Sequence, residues 1–388
     1  MKRFFHLASL MFFSTVFVFF CLEIILSLFW PHKITSSQYS SQYHQVLGWT
    51  NKQNIDGEMR LGPNLSFHWE HNSNGLRSLK EHNYDKPAGV RRILFLGDSF
   101  FWGMGVNDTE VLTNLLQQKI GADLEVINGA VSSYGTDQEL IWLSEEGLKY
   151  KPDLVILGFF PANDWPEISN TINYGYPKPI FNLQDGNLIA LNIPVPNTRA
   201  TRRKAFGEPD TLFGKLKKFL RKHTHTYPFL ARRLNRLPAI REFLLQTGIA
   251  EEFNKEIPGV LSMTLQKNRV QPLSEALIKA VRDTSADAGA DFLLVFIPAK
   301  EQAPESPVAY EVARADAYWE NTDFSRYLSI FTSENNMKFI DLLPTIRLHH
   351  QNGEYLYMPE SIDHHWTAAG HKVAADTIYD WLRKNSYI

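Results

Sequence analysis

The chain has 388 residues, 44% hydrophobic and 21% charged, a composition that fits a folded globular protein and excludes a mostly disordered one. Forty Lys and Arg against 42 Asp and Glu leave a formal charge of −2. That excludes the basic bulk of a dedicated nucleic-acid binder, though not a local basic face. A single cysteine, Cys21, excludes an intrachain disulfide and a cysteine zinc site.

From Phe4 to Trp30 the sequence is apolar except at His6, Ser9, Ser14, Thr15, Glu23 and Ser27. A helix needs about 20 residues to cross the hydrocarbon core. Lys2 and Arg3 precede the run, and basic flanks stay cytoplasmic. Residues 1–30 are therefore predicted to be an N-terminal transmembrane helix. The expected location is the cell inner membrane, single-pass, with the remaining chain on the periplasmic or extracellular side. A cleaved signal peptide is the alternative. It usually has a shorter apolar core, roughly 7–15 residues, and a small-x-small cleavage site. Phe29-Trp30-Pro31-His32 offers no such site, and Val18 and Phe20 spoil a lipoprotein signal before Cys21. A span starting near Phe5 puts Glu23 close to the outer interface. A solvated carboxylate is expected there, with a partner membrane protein as the alternative.

Residues 31–90 are polar and broken by Asn, Gly, Pro and His, and read as a stalk or extended lead-in. From Arg91 the pattern changes. Arg92–Gly97 is a short apolar run, predicted as a buried strand. Asp108–Ile120 carries apolar residues at helical spacing, with Asp108 as candidate cap. Leu124–Asn128 is a second strand and Thr136–Tyr150 a helix. Asp153–Phe160 is a third strand. Pro272–Ala288 is a helix and Asp291–Ile297 a fourth strand. Phe324–Asn335 is a helix, Lys338–Leu342 a fifth strand, and Thr367–Arg383 a closing helix with Thr367 as N-cap. Strands alternating with helices imply parallel pairing with right-handed crossovers. Continuous apolar strands fit a sheet covered on both faces. The expectation is one α/β three-layer domain over residues 91–388, with an insertion at about 166–265.

The insertion is basic. Between Arg199 and Arg241 stand thirteen Lys or Arg against Glu208 and Asp210. Phe213, Leu216, Phe219 and Leu220 fall at helical spacing among the lysines, an amphipathic basic helix. Contact with anionic lipid or an acidic polymer is one reading, and a solvated helix packed on the domain is the other.

Ligands of parallel sheets bind beyond the C-terminal ends of the strands. There stand Gly97-Asp98-Ser99-Phe100, Asn128-Gly129-Ala130, Asn163-Asp164 and, after the fifth strand, Asp363-His364-His365-Trp366. A serine nucleophile needs a base, the base needs an orienting carboxylate, and the tetrahedral intermediate needs hydrogen-bond donors. Ser99 is the candidate nucleophile, His365 the base and Asp363 its partner. The N–H groups of Ser99 and Gly129 and the Asn163 amide are candidates for the oxyanion hole. His364 competes as base, but adjacent residues of an extended segment point to opposite sides. His371 reads as a helix-surface or supporting residue. Asp98 and Asp164 read as hydrogen-bond acceptors that hold loops. Trp102, Trp165 and Trp366 suit either a sugar or acyl site or core packing. Neighbouring histidines at 349–350 and 364–365 rarely share one ion, so no metal is expected. Gly97–Gly105 lacks the lysine of a phosphate loop.

Gly97-Asp98-Ser99-Phe100, Gly129, Asn163-Asp164 and Asp363-x-His365 resemble the four blocks of the SGNH/GDSL hydrolases. The likeness covers about residues 91–165 and 290–385. Ser133-Tyr-Gly-Thr-Asp-Gln138, Lys151-Pro-Asp-Leu-Val155 and Asn74-Gly-Leu-Arg77 look like a bacterial membrane-anchored branch that often accompanies polysaccharide or cell-surface assembly. The resemblance implies a flavodoxin-like five-stranded parallel sheet and ester or acyl chemistry without cofactor or metal. Two positions depart from the family pattern. Pro161 stands where the family has glycine, and Asp-x-His replaces Asp-x-x-His. The expected function is that of a serine esterase or O-acyltransferase on an acylated cell-surface carbohydrate. A membrane-surface lipid esterase and a non-catalytic envelope scaffold are the alternatives.

Overall fold

The computed structural model describes residues 2–29, 40–197, 267–303 and 323–388, apart from 63–64, 123, 174–175 and 360–362, together with 216, 219–220, 224–227 and 229–230. Most of the basic stretch from Arg199 to Arg241, and with it the predicted amphipathic helix, lies outside the described residues.

The chain opens with α1 (Lys2–Phe29), whose stretch Ser9–Leu28 is long and apolar enough to cross a membrane. Glu23 near its end is not simply solvated, because its carboxylate accepts hydrogen bonds from the backbone of His225 and Thr226.

The expected stalk is corrected from residue 40 onward. β1 (Ser41–His44) and β2 (Gly48–Asn51) form one antiparallel hairpin, and β3 (Ile55–Gly62) and β4 (Leu65–His71) form another. Along β4, Phe67, Trp69 and His71 are buried while Ser66, His68 and Glu70 are exposed, the alternation of a half-buried strand. Trp49, Phe67 and Trp69 join the main hydrophobic core. Arg77 is wholly buried; it pairs with Asp108 at 2.8 Å and donates to the carbonyls of Trp102 and Val106. Asp108 is thus occupied as the partner of Arg77 rather than capping a helix.

The central sheet follows from the predicted strands. β5 (Arg91–Leu96) leads into α2 (Ser99–Trp102), then α3 (Leu112–Ile120), β6 (Leu124–Asn128), α4 (Thr136–Glu145), β7 (Leu154–Phe159) and α5 (Pro161–Ile168). Four short strands follow, β8 (Ile172–Asn173), β9 (Tyr176–Pro177), β10 (Ile180–Gln184) and β11 (Asn187–Leu191), paired as two hairpins at the start of the insertion. After it come α6 (Lys267–Asp287), β12 (Asp291–Phe296), α7 (Phe324–Glu334), β13 (Lys338–Asp341), α8 (Leu343–Gln351) and α9 (Ala368–Lys384). Thr367 caps α9 by accepting from the N–H of Gly370.

The five long strands pair in the order β13-β12-β7-β5-β6, all parallel. Counted from β5, this is the 2-1-3-4-5 arrangement of doubly wound flavodoxin-like sheets. Every residue of β7 is buried, so both faces are covered. α3 packs with α9, and α6 packs with α4 and α5. The strand order reverses between β5 and β7, and the crevice outside such a switch point is where doubly wound folds bind ligands.

Candidate active site

Two segments meet at that switch point. After β5, Asp98 caps α2 by accepting from the Phe100 N–H at 2.8 Å. Ser99 is therefore the first helical residue, and its own N–H has no acceptor within so short a helix. Gly103 ends α2 at φ 95°, a left-handed conformation suited to glycine. After β7, Pro161 begins α5, a position where its missing N–H costs nothing. The departure from glycine at 161 therefore leaves Asn163 on a regular helical turn.

The third contribution comes from near the C-terminus. Met358 donates its N–H to the His365 carbonyl at 2.9 Å, and Tyr357 pairs with Trp366. Tyr357 also reaches from its hydroxyl to the Pro298 carbonyl at 2.6 Å. These bonds tie the 363–366 segment to the end of β12.

The structure brings Ser99, His365 and Asp363 together. Ser99 Oγ lies 2.7 Å from His365 Nε2, and His365 Nδ1 lies 2.6 Å from Asp363 Oδ1. Burial opposes charge on Asp363, but the hydrogen bond and the charge of His365 outweigh it and hold the carboxyl below its usual range. An ionised Asp363 fixes Nδ1 as the donor, leaving Nε2 to accept the Ser99 proton. His364 stacks on His365 with ring centres 4.5 Å apart and is about half exposed. Its Nδ1 is 3.5 Å from Asp363, and burial and the neighbouring His365 push its pKa down. Donor atoms of Asp363, His364 and His365 lie within 4.8 Å of one another, but the Asp363–His365 hydrogen bond already occupies one ring nitrogen.

Asn163 lies on the same side of the site. Its Nδ2 donates to Asp98 Oδ2 at 2.7 Å, and the second amide hydrogen remains available. Gly129 is different. Its N–H donates to the Phe95 carbonyl at 2.8 Å, continuing the pairing of β6 with β5, so it has no hydrogen left for an oxyanion. A Cβ at 129 would lie 2.5 Å from the Trp142 ring and 3.0 Å from the Phe95 oxygen. Close packing accounts for the glycine. Of the three expected donors, the Ser99 N–H and the Asn163 amide are the ones left uncommitted.

Trp102, Trp165 and Trp366 are core residues. So is His371, which is wholly buried against the Trp366 ring rather than at a helix surface. Burial, with Arg77 and His365 nearby, pushes its pKa down to about 3.

Behind the site lies a feature that the sequence reading missed. Asp98, Asp137, Glu139, Asp164 and Glu167 are all buried. Lys178, also buried, pairs with Asp137 and donates to the Glu167 carbonyl. Asp164 accepts from the Thr136 N–H and hydroxyl and from the Phe160 N–H. Neither oxygen of Glu139 has a hydrogen-bond partner among the described residues. Burial raises the Asp164 carboxyl to about 8, with Asp98 adding to the rise. Burial, then the charges of neighbouring carboxylates, raise Glu139 and Glu167 well above their usual range. The signal available for Glu139 was its i, i+4 relation to the buried Leu143.

A comparison with protein families matches residues 262–387 to the model described as SGNH hydrolase-like domain, acetyltransferase AlgX. No curated protein matches the chain. Similar solved structures include a lipase/acylhydrolase from Enterococcus faecalis, 15% identical, covering 76% of this chain and 97% of its own, TM-score 0.36. Another is a mutant of the acetylxylan esterase Axe2 from Geobacillus stearothermophilus, 12% identical, covering 77% and 95%, TM-score 0.36. A third is the esterase EstA from Pseudoalteromonas sp., 14% identical, covering 77% and 100%, TM-score 0.34. The sheet order is that of a doubly wound α/β fold, and residues 262–387 are similar to an SGNH hydrolase-like acetyltransferase domain. That likeness is carried by the C-terminal third of the chain.

Proposed function

We propose that the protein is a membrane-anchored serine esterase or O-acyltransferase that acts on an acylated cell-surface carbohydrate. The observation that carries this reading is the unbroken chain from Ser99 Oγ through His365 to Asp363, with bonds of 2.7 and 2.6 Å. Ser99 Oγ attacks the ester carbonyl as its proton passes to His365 Nε2. The Ser99 N–H and the second Asn163 amide hydrogen receive the oxyanion. Collapse breaks the C–O bond to the alcohol, which leaves with the proton from His365. The acyl-enzyme then passes its acyl group to water or to a sugar hydroxyl, whose proton His365 accepts. Hydrolysis and transfer use the same residues. The match to an acetyltransferase domain model favours acetyl as the acyl group. Lys2 and Arg3 before an anchor at α1 support a site on the far side of the membrane from the cytoplasm.

The test is labelling of the full-length protein in detergent with a fluorophosphonate probe, followed by mass spectrometry of the modified peptide. Labelling at Ser99 that disappears in Ser99→Ala is the expected result. A folded wild-type protein that takes no label would reject the reading. With an acetyl ester as donor and an oligosaccharide as acceptor, the acetyl mass increment on the sugar distinguishes transfer from free acetate.

A further inference from the structure

The loop between β6 and α4, residues 129–135, joins the two halves of the site. Near its start the Val131 N–H donates to the Gly97 carbonyl at 3.1 Å, just before Ser99. At its far end the Thr136 N–H and hydroxyl donate to Asp164, the neighbour of Asn163. From Val126 to Leu143 every residue is buried apart from Ser132 and Ser133. The loop therefore opens to solvent at these two serines, and its end points set them between the Ser99 turn and α5. Ser133 has φ 68°, a left-handed conformation that a Cβ disfavours. Such residues gather at functional sites and persist where their surroundings impose them.

What imposes it comes from outside the five-stranded sheet. The Ser132 carbonyl accepts from Trp49 Nε1 of β2 at 3.2 Å. The Ser133 carbonyl accepts from Asn173 Nδ2 of β8 at 3.0 Å, and the same Nδ2 donates to Glu167 Oε1 on α5 at 2.9 Å. One amide thus bridges α5 and the loop. The hairpin that carries it is itself fixed. Lys178, just after β9, is buried, pairs with Asp137 and donates to the Glu167 carbonyl at 3.1 Å. Its own carbonyl accepts from Asn192 at 2.6 Å. Tyr176 sets its ring 5.9 Å from that of Trp49, so the two elements that grip the loop also grip each other.

We propose that Asn173 is a positioning residue for the reaction at Ser99. It locks Ser133 in its left-handed conformation and so fixes the wall of the crevice between the nucleophile and Asn163. Without the amide donor, Ser133 relaxes toward an ordinary φ, its peptide planes turn, and the wall shifts. A displacement well under 1 Å beside reacting groups is enough to lower the rate. The role in the reaction rests on the Ser99 mechanism proposed above, whereas the clamp on Ser133 is independent of it.

The test uses the full-length protein in detergent with Asn173→Asp, which keeps the shape but removes the donor, and Asn173→Ala, which removes the donor without adding charge. Two readouts are taken. Amide hydrogen exchange over residues 129–135, read by mass spectrometry, should quicken by about tenfold in both variants. On a soluble acetyl ester kcat should fall by about tenfold with KM little changed. In a Ser133→Gly background, where glycine takes a positive φ freely, the same substitutions should lower kcat by about twofold at most. A loss of equal size in both backgrounds would overturn the proposal, because Asn173 would then act through Glu167. Unchanged exchange over 129–135 would overturn it too. Faster exchange with unchanged kcat would leave Asn173 a clamp with no part in the reaction and overturn the positioning role. A wild type that neither turns over the ester nor takes a fluorophosphonate would reject the Ser99 mechanism and the positioning role with it, while the exchange readout would report separately on the clamp.

Discussion

The Asn163 side chain donates to Asp98 Oδ2 at 2.7 Å, so the residue that precedes Ser99 also aims the amide that would receive the oxyanion. Asp98 holds the start of α2 with its other oxygen. One carboxylate thereby sets the geometry of Ser99 and Asn163 together. Asp98→Asn keeps an acceptor for the Phe100 N–H but turns a donor toward Asn163 Nδ2. We expect kcat on a soluble ester to fall by about 10²-fold, the scale of losing one oxyanion donor, with KM little changed. Unchanged kcat would show that Asn163 is aimed by something else.

Ser99→Ala should remove at least about 10³-fold of esterase activity, and Asp363→Asn a similar amount. The second variant keeps the shape but allows the wrong imidazole tautomer. Steady-state kinetics on a small acetyl ester reads both. His364→Gln should keep most of the activity, because His365 Nε2, not His364, lies 2.7 Å from Ser99 Oγ.

Gly129→Ala separates packing from catalysis. The added methyl meets Trp142 at 2.5 Å, and overpacking of this kind typically costs about 1–3 kcal/mol. Thermal unfolding should shift down, while kcat per folded molecule stays near wild type. A large loss of kcat without loss of stability would return Gly129 to the oxyanion hole.

A fragment beginning at residue 91 is expected to aggregate rather than fold, because it strips Trp49, Phe67, Trp69 and Arg77 from the core. Within the intact chain, Arg77→Ala leaves Asp108 buried without its ion pair, a change worth about 3–5 kcal/mol. Denaturant unfolding and size-exclusion chromatography check the two expectations.

The buried carboxylates give stability a pH slope. Asp164 is raised to about 8 and Glu139 well above 4.5. The folded chain therefore binds more protons than the unfolded chain between about 4.5 and 8. Stability from these groups is present at low pH and is lost as pH rises through that window. Above about pH 7.5 unfolded histidines are already mostly neutral, so the slope there belongs to the carboxylates. The denaturant midpoint should fall from about pH 7.5 to 8.5. Glu139→Gln, with no proton to lose, should fall less and be the more stable protein at pH 8.

Much of the fold was legible because its strands are continuous apolar runs. Arg91–Leu96, Leu124–Asn128 and Asp291–Phe296 fall within a residue of where hydrophobicity placed them. Ser99, Asn163, Asp363 and His365, whose side chains lie within two short hydrogen-bonded groups, could be singled out because each stands after a strand of one parallel sheet. The hairpins before residue 91 were not. Leu65–His71 does alternate, but its inward positions include histidine and its outward ones are polar, so composition outweighed period. The engagement of the Gly129 N–H was not legible, because a motif glycine does not reveal whether its N–H is free, and that depends on how far β6 pairs with β5. Glu139 and Glu23 needed the third dimension. One is a helix carboxylate turned inward, and the other finds its partners some 200 residues further along.

Ser99 and His365 are separated by 266 residues. On the proposed mechanism the serine is therefore synthesised long before the group that would activate it. A chain cut short before Asp363 would carry Ser99 with no base. Esterase competence would then arise only once the 363–366 segment has docked against Tyr357 and, through it, the end of β12.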